Sequence, residues 1–339
     1  MSPLVVALLV LVLLLAAGYG LLNGMRDAPN AIALPVRSRA LTPGAALLLA
    51  ATMNLLGGVL SGGLLTAVWR ELPPAIPDGG PGLVMALVPL AVAIAWGDFA
   101  WRRGMPISMT HALIVGLVGA GLALTITGHA SFEGVWSPTL ITAMLLGLVL
   151  SPVLAWFLSW VLVTPATWAA RDAAPGAVNH AARMSLSVSG AANALGHGVQ
   201  SGQRITFMVA IAYSAIGRPE ALEWWVPVAA GASLALGTLF GGWRIAHTLT
   251  DTLVRLDPLR SAVASIVSAG LLFVGSFALH LPLSSTHSAT AAIIGAGENQ
   301  RYTAVRWPQV QKVVHYWLAT LVVPALAALI LAAAASPLF

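Results

Sequence analysis

Apolar runs of about twenty residues recur along the whole chain, and they limit its fold more than any other feature. As a helix rising about 1.5 Å per residue, each can cross a hydrocarbon core of about 30 Å. Only 8% of the 339 residues are charged and 58% are hydrophobic. A soluble domain carries roughly 25% charged residues, so this composition cannot build a water-facing shell. Lipid demands internally paired backbone, which leaves helices or a closed barrel. A barrel would show short alternating segments, and these runs are continuous. The chain is therefore read as an all-α polytopic membrane protein. The first run, 3–22, has no basic residue ahead of it and no clear cleavage site, and is read as a mature helix. Cysteine is absent, which excludes thiol chemistry. The net charge of +5 is read as loop residues that set orientation, with no nucleic-acid surface.

The runs fall into two sets. Five occupy about 3–22, 41–68, 84–103, 107–128 and 136–163, with a shorter apolar piece at about 24–35. Shifting them by 174 to 176 residues predicts spans near 177–196, 215–242, 260–279, 283–304 and 312–339. Particular residues repeat as well. Asn23-Gly24 matches His197-Gly198, and Trp69-Arg70 matches Trp243-Arg244. Pro106 matches Pro282, and His111 matches His287. Pro152 and Pro324 differ by 172, consistent with a small deletion. A polar loop at 164–185, with Arg171, Asp172, His180 and Arg183, separates a first half (1–163) from a second (186–339). Five spans is an odd number, so the second copy enters the membrane from the other side. The expectation is two inverted-topology repeats with broken helices, about 10–12 membrane segments in all.

Four stretches read as broken helices, which are tolerated only inside protein or beside water. They are NGMRDAPNAIA (23–33), GAANALGHGVQSGQRI (190–205), PISMTH (106–111) and LPLSSTH (281–287). In the last two, proline suits a helix start and the following Ser or Thr can cap the helix. The free N–H groups of a helix start carry partial positive charge and suit an anion. Two such ends facing each other near the midplane would cradle an oxyanion, with Ser108, Thr110, Ser284, Ser285 and Thr286 as its hydroxyls. The plainer reading is that these groups only cap their own helices. His111 and His287 either serve the ligand or pack the helix ends. Asp27 is costly in a membrane and marks a functional site. It can coordinate a cation, carry a coupling proton, or pair with Arg26. Asn30 offers a carbonyl oxygen to a hard cation such as Na⁺, and Asn54 is a lesser candidate for the same task. Asp98, beside Arg102 and Arg103, reads as interfacial. Trp243, Trp307 and Trp317 read as belt or packing residues.

NGMRDAPNAIA, followed by Arg39-Ala40-Leu41-Thr42-Pro43, resembles the first signature of the inorganic phosphate transporter family, the PiT or PHO4-type permeases. PISMTHA and PLSSTHS are similar to that family's paired P-x-S-T-T-H elements. GGWRI (241–245) and the segment from Trp317 to Pro324 also resemble family stretches. The resemblance implies an inverted-repeat symporter in the cell membrane that moves phosphate with Na⁺ or H⁺ by alternating access. It implies a common homodimer among membrane lipid, no cofactor beyond the coupling ion, and no enzyme activity. It carries over Ser108, Thr110, Ser284, Ser285 and Thr286 as anion-binding, and Asp27 and Asn30 as cation-binding.

The departures are specific. In His197-Gly198-Val199-Gln200-Ser201-Gly202-Gln203-Arg204, Gln200 stands for a family Asn and Ser201 for the second signature Asp. Arg26 replaces a family His, and Met109 replaces a Thr. Arg26, Gln200, Ser201 and Arg204 therefore join the substrate-binding candidates. Asn23 joins the cation set, and His197 joins His111 and His287 as supporting residues. One carboxylate fewer and one guanidinium more predict coupling to fewer cations than in relatives, with H⁺ through Asp27 as one route. Sulfate is the alternative substrate. Phosphate brings a proton that it can donate to an acceptor such as Asp27, whereas a site of donors alone would suit sulfate. An anion channel is the alternative mode, although duplicated broken helices in one chain favour alternating access. A hydrolase is disfavoured because Ser108 and His111 each have a twin, and because H-E-x-x-H and G-x-S-x-G are absent.

Overall fold

The computed structural model describes residues 2–63, 76–131, 138–218, 223–275, 283–299 and 305–339, and no strand occurs among them. The first half contains α1 (Pro3–Arg37), α2 (Pro43–Leu60), α3 (Gly80–Arg102), α4 (Met109–Ile126) and α5 (Pro138–Ala169). The second contains α6 (Pro175–Ala215), α7 (Trp225–Phe240), α8 (Trp243–His247), α9 (Pro258–Phe273), α10 (Ser285–Glu298) and α11 (Trp307–Ala335). A π-helical turn, Thr248–Leu253, continues α8. Setting α8 aside, the described residues of the two halves present five long helices each, in the same order. The Trp69-Arg70 side of one sequence match, and Pro282 of another, lie outside the described residues.

The halves exchange partners. α1 packs on α7 as α6 packs on α2, and α4 packs on α11 as α10 packs on α5. Within the halves, α1 meets α3 as α6 meets α9, and α3 meets α4 as α9 meets α10. α1 and α6 also cross each other directly.

Small residues let these helices approach, as is common where lipid supplies no hydrophobic drive between them. Gly24 of α1 lies against the Leu234 carbonyl of α7, and Gly237 of α7 against the Leu21 carbonyl of α1. Gly57 of α2 meets Leu195 and Gly198 of α6 in the same manner. A methyl group at Gly237 would collide with backbone that cannot step aside. Gly237→Ala is expected to destabilise the protein by about 1–3 kcal/mol. Thermal unfolding in detergent checks this, and an unchanged midpoint would contradict the packing described.

Two of the four expected breaks are not breaks. α1 runs through 23–33 and α6 through 190–205 as continuous helix. Pro29 sits inside α1 and removes the bond that would end on the Met25 carbonyl. That carbonyl and the Pro29 ring lie against Gly242. Here α7 and the α8 segment bend by 60°, a break the sequence reading did not place. Gly241, at φ +62°, makes the bend possible because a left-handed residue favours glycine. The other two breaks are present. Non-helical chain precedes α4 at 105–108 and α10 at 283–284. The connector expected at 164–185 is largely helical, because α5 reaches Ala169 and α6 begins at Pro175.

Six helices among the described residues are long and apolar enough to cross a membrane, and the bent pair is either a seventh, broken span or a re-entrant loop. The other long helices fall short for physical reasons. α10 has 14 residues, about 21 Å at 1.5 Å each. α6 is long, but its middle carries the polar residues described next.

Candidate functional site

α1 and α6 each present a polar stripe. On α1 it is Asn23, Asp27 and Asn30, and on α6 it is His197, Ser201 and Arg204, 174 residues later at each position. Spacings of four and then three residues keep each trio on one helical face. All but Asn30 are buried. The stripes meet where the helices cross. The Asn23 amide donates to Ser201 Oγ at 2.9 Å, and His197 Nε2 lies 3.4 Å from Asp27 Oδ2.

The starts of α4 and α10 close on this crossing. Ser108 and Ser284 act as N-caps, and their hydroxyl oxygens accept the N–H groups of His111 and His287, each at 3.2 Å. The imidazoles of His111 and His287 stack at 5.1 Å between centroids, so the two first turns face each other. Thr110 is buried beside them. Trp317, expected as a belt or packing residue, has a defined task. Its indole N–H donates to the Pro106 carbonyl at 2.8 Å, and its ring lies 4.0 Å from that of His287. It thus holds the broken chain before α4 against the histidine pair.

From α10, the Thr286 hydroxyl donates to Asp27 Oδ1 at 3.2 Å and the Ser285 hydroxyl to Oδ2 at 3.5 Å. The Asn30 amide donates to Thr286 Oγ1 at 3.1 Å. Arg204 reaches the same region. It donates to Gln200 Oε1 at 2.9 Å and to the Leu283 carbonyl, just before α10, at 3.2 Å.

Asn54 and Thr238 fix the state of His197. The Asn54 amide donates to Thr238 Oγ1 at 2.8 Å, so its carbonyl oxygen faces His197 Nδ1 at 2.9 Å. That oxygen can only accept, so Nδ1 carries the hydrogen. Nε2 is left toward Ser201 Oγ at 3.1 Å and Asp27. Asn54, a lesser candidate for a cation ligand in the sequence, here has its amide on Thr238 and its carbonyl oxygen toward His197. A lone Asn in an apolar span was the available signal. Thr238 gave none, because a membrane threonine usually bonds back to its own helix, as this one also does through the Leu234 carbonyl.

Arg26 is different. It is 1% exposed, and none of its three guanidinium nitrogens has a hydrogen-bond partner among the described residues. A pairing with Asp27, one of the three readings the sequence left open for that residue, does not form among the described residues. α1 is continuous there, and neighbouring positions on a helix do not face each other. The Asn23 and Asn30 carbonyl oxygens are also without partners among the described residues. Arg26, Arg204 and Asp27 are the formally charged side chains buried there, which leaves one positive charge in excess. An unpaired buried charge is expensive to hold, so the arrangement without a counter-charge is electrostatically unfavourable.

Residues 23–328 match the family described as Phosphate transporter family. The chain belongs to the phosphate transporter family. The probable low-affinity inorganic phosphate transporter of Rhizobium meliloti (strain 1021) is 37% identical over 325 residues, 94% of each chain. That of Bacillus subtilis (strain 168) is 28% identical over 323 residues, again 94% of each. A solved structure described as the sodium-dependent phosphate transporter matches the fold with a TM-score of 0.80, covering 98% of this chain and 100% of that one at 19% identity. Phosphate transporter family members are carriers rather than enzymes, and this one is a multi-pass membrane protein.

Proposed function

We propose that the protein is a cation-coupled symporter of inorganic phosphate that works by alternating access between two inverted repeats. The observation that carries this reading is the buried, unpartnered guanidinium of Arg26. Its planar fork matches two oxygens of a tetrahedral anion and leaves the others to further donors. The facing starts of α4 and α10 offer further donors, with the hydroxyls of Thr110, Ser285 and Thr286 as candidates. Ser108 and Ser284 hold those starts in shape as caps. The exchange of helix partners between halves supports the inverted arrangement.

Charge sets the coupling. Divalent hydrogen phosphate turns the site's single excess positive charge into a single excess negative one. One monovalent cation restores neutrality. Asp27 is the place for it, flanked on the same face of α1 by the unpartnered carbonyl oxygens of Asn23 and Asn30. A proton on Asp27 would leave those two oxygens unsatisfied, whereas Na⁺ takes oxygen ligands. A related fold in a transporter described as sodium-dependent supports Na⁺. In the second half Ser201 replaces a carboxylate and Arg204 stands beside it at 3.5 Å. A second cation has no site there, so coupling is to one Na⁺ per phosphate.

The test is radiolabelled phosphate uptake into proteoliposomes under a Na⁺ gradient, then under a proton gradient, each with excess sulfate. Na⁺-driven uptake that resists sulfate, with a first-order dependence on Na⁺, supports the reading. Uptake abolished by sulfate would reassign the substrate, and flux indifferent to both gradients would indicate a channel.

A further inference from the structure

A groove of about 440 Å³ runs along the outside of the bundle between α3 and α11. Ala91, Val92, Ala95 and Phe99 line it from α3, and Pro324 and Leu331 are among those that line it from α11. Its α3 wall extends from Ala91 to Phe99, about 12 Å at 1.5 Å per residue. One leaflet of a hydrocarbon core is about 15 Å deep, so the groove has the length of an acyl segment in a single leaflet. The neighbouring face of α11 is open and apolar, with Leu318, Val322, Leu326 and Ile330 all exposed. Pro324 lies inside α11 and carries no N–H to complete the helix there.

The end of the groove is cationic. Phe99 closes it, and the Arg103 guanidinium lies flat over that ring at 3.7 Å. Among the described residues Arg103 hydrogen-bonds to the Phe99 carbonyl, at 3.2 Å. Arg102 is neutralised by Asp98 at 2.7 Å, but Arg103 has no carboxylate partner among the described residues. Neither does Arg244, which is tied to the same turn by a 3.0 Å bond to the Arg102 carbonyl. Both arginines are exposed, Arg103 just past the C-terminal end of the α3 span and Arg244 tied to that same end, where a basic residue suits a lipid headgroup. An occupant that fits has an apolar tail and an anionic head.

We propose that this groove seats an acyl chain of an anionic phospholipid whose headgroup phosphate binds Arg103 and Arg244. Nothing in the transport site is needed for this binding. Each juxtamembrane arginine adds to the attraction for an anionic headgroup. A neutral lipid would gain the groove but not the arginines.

Native mass spectrometry of the purified full chain reads this directly. The protein is titrated with phosphatidylglycerol and phosphatidylcholine of identical acyl chains. Phosphatidylglycerol is expected to be retained about tenfold over phosphatidylcholine. Arg103→Gln with Arg244→Gln should bring the two lipids level, and Arg103→Lys should keep the preference. Ala95→Phe, which fills the groove from an exposed position, should reduce retention of both. Equal retention by the unaltered chain overturns the proposal, as does a preference that survives the double variant. If Ala95→Phe breaks a dimer and leaves lipid retention unchanged, a second copy covers the groove and the proposal fails.

Discussion

Replacing Arg26 with methionine is expected to abolish phosphate uptake and, in phosphate-free buffer, to raise the unfolding temperature. The two effects have one cause. The guanidinium is buried with no acceptor among the described residues, so the empty protein carries the full cost of its desolvation. Methionine is similar in length and needs no partner. Exchanging a buried charge for an apolar side chain stabilises by about 1–4 kcal/mol where the charge was poorly compensated. Transport loses instead. A charge-assisted bond to phosphate is worth about 1.5–3 kcal/mol, and a bidentate pair supplies two. Uptake should fall at least about a hundredfold at subsaturating phosphate. Phosphate should raise the unfolding temperature of the unaltered protein, because it binds the folded state alone, and should not raise that of Arg26→Met. A variant that melts earlier without phosphate, or transports at the original rate, would show that Arg26 is structural.

Asp27→Asn is expected to separate binding from driving. The amide keeps the size of the carboxylate and one acceptor oxygen for Ser285 or Thr286. The negative charge that holds the coupling cation is gone. The site then carries two uncompensated arginines, which favours the anion further. Phosphate exchange between equal concentrations should continue. Accumulation against a gradient should disappear, with the internal-to-external ratio settling near one under any Na⁺ gradient. Accumulation at the original level by this variant would place the coupling site elsewhere.

The architecture was legible because apolar runs and their repetition are written directly in residue order. The boundaries of α1 and α6 were not. Gly24 and Pro29 read as breaks, yet α1 stays helical because Gly24 meets the Leu234 carbonyl and Gly242 packs beside Pro29. Those are contacts with residues more than two hundred positions away. The candidate residues were visible as types, since a charge or amide in an apolar span is conspicuous. Their division of labour was not visible. Sequence spacing could not show that Ser108 and Ser284 face inward as caps, or that Arg26 and Asp27 point different ways on one helix. The anchoring of His197 by Asn54 and Thr238 needs three helices, α2 from the first half and α6 and α7 from the second.

The exchange of partners between halves bears on how the chain is made. α4 ends at Ile126, and its partner α11 begins at Trp307. At about 5–20 residues per second, a ribosome takes roughly 10 to 35 s to cover that distance. Throughout that interval α4 has no Trp317 to brace the chain before it, and for most of it no His287 to face His111. Asp27 likewise waits for the hydroxyls of α10. A nascent first half therefore holds neither the His111–His287 stack nor the hydroxyl bonds to Asp27, and the contacts of the candidate site form only once α10 has been made.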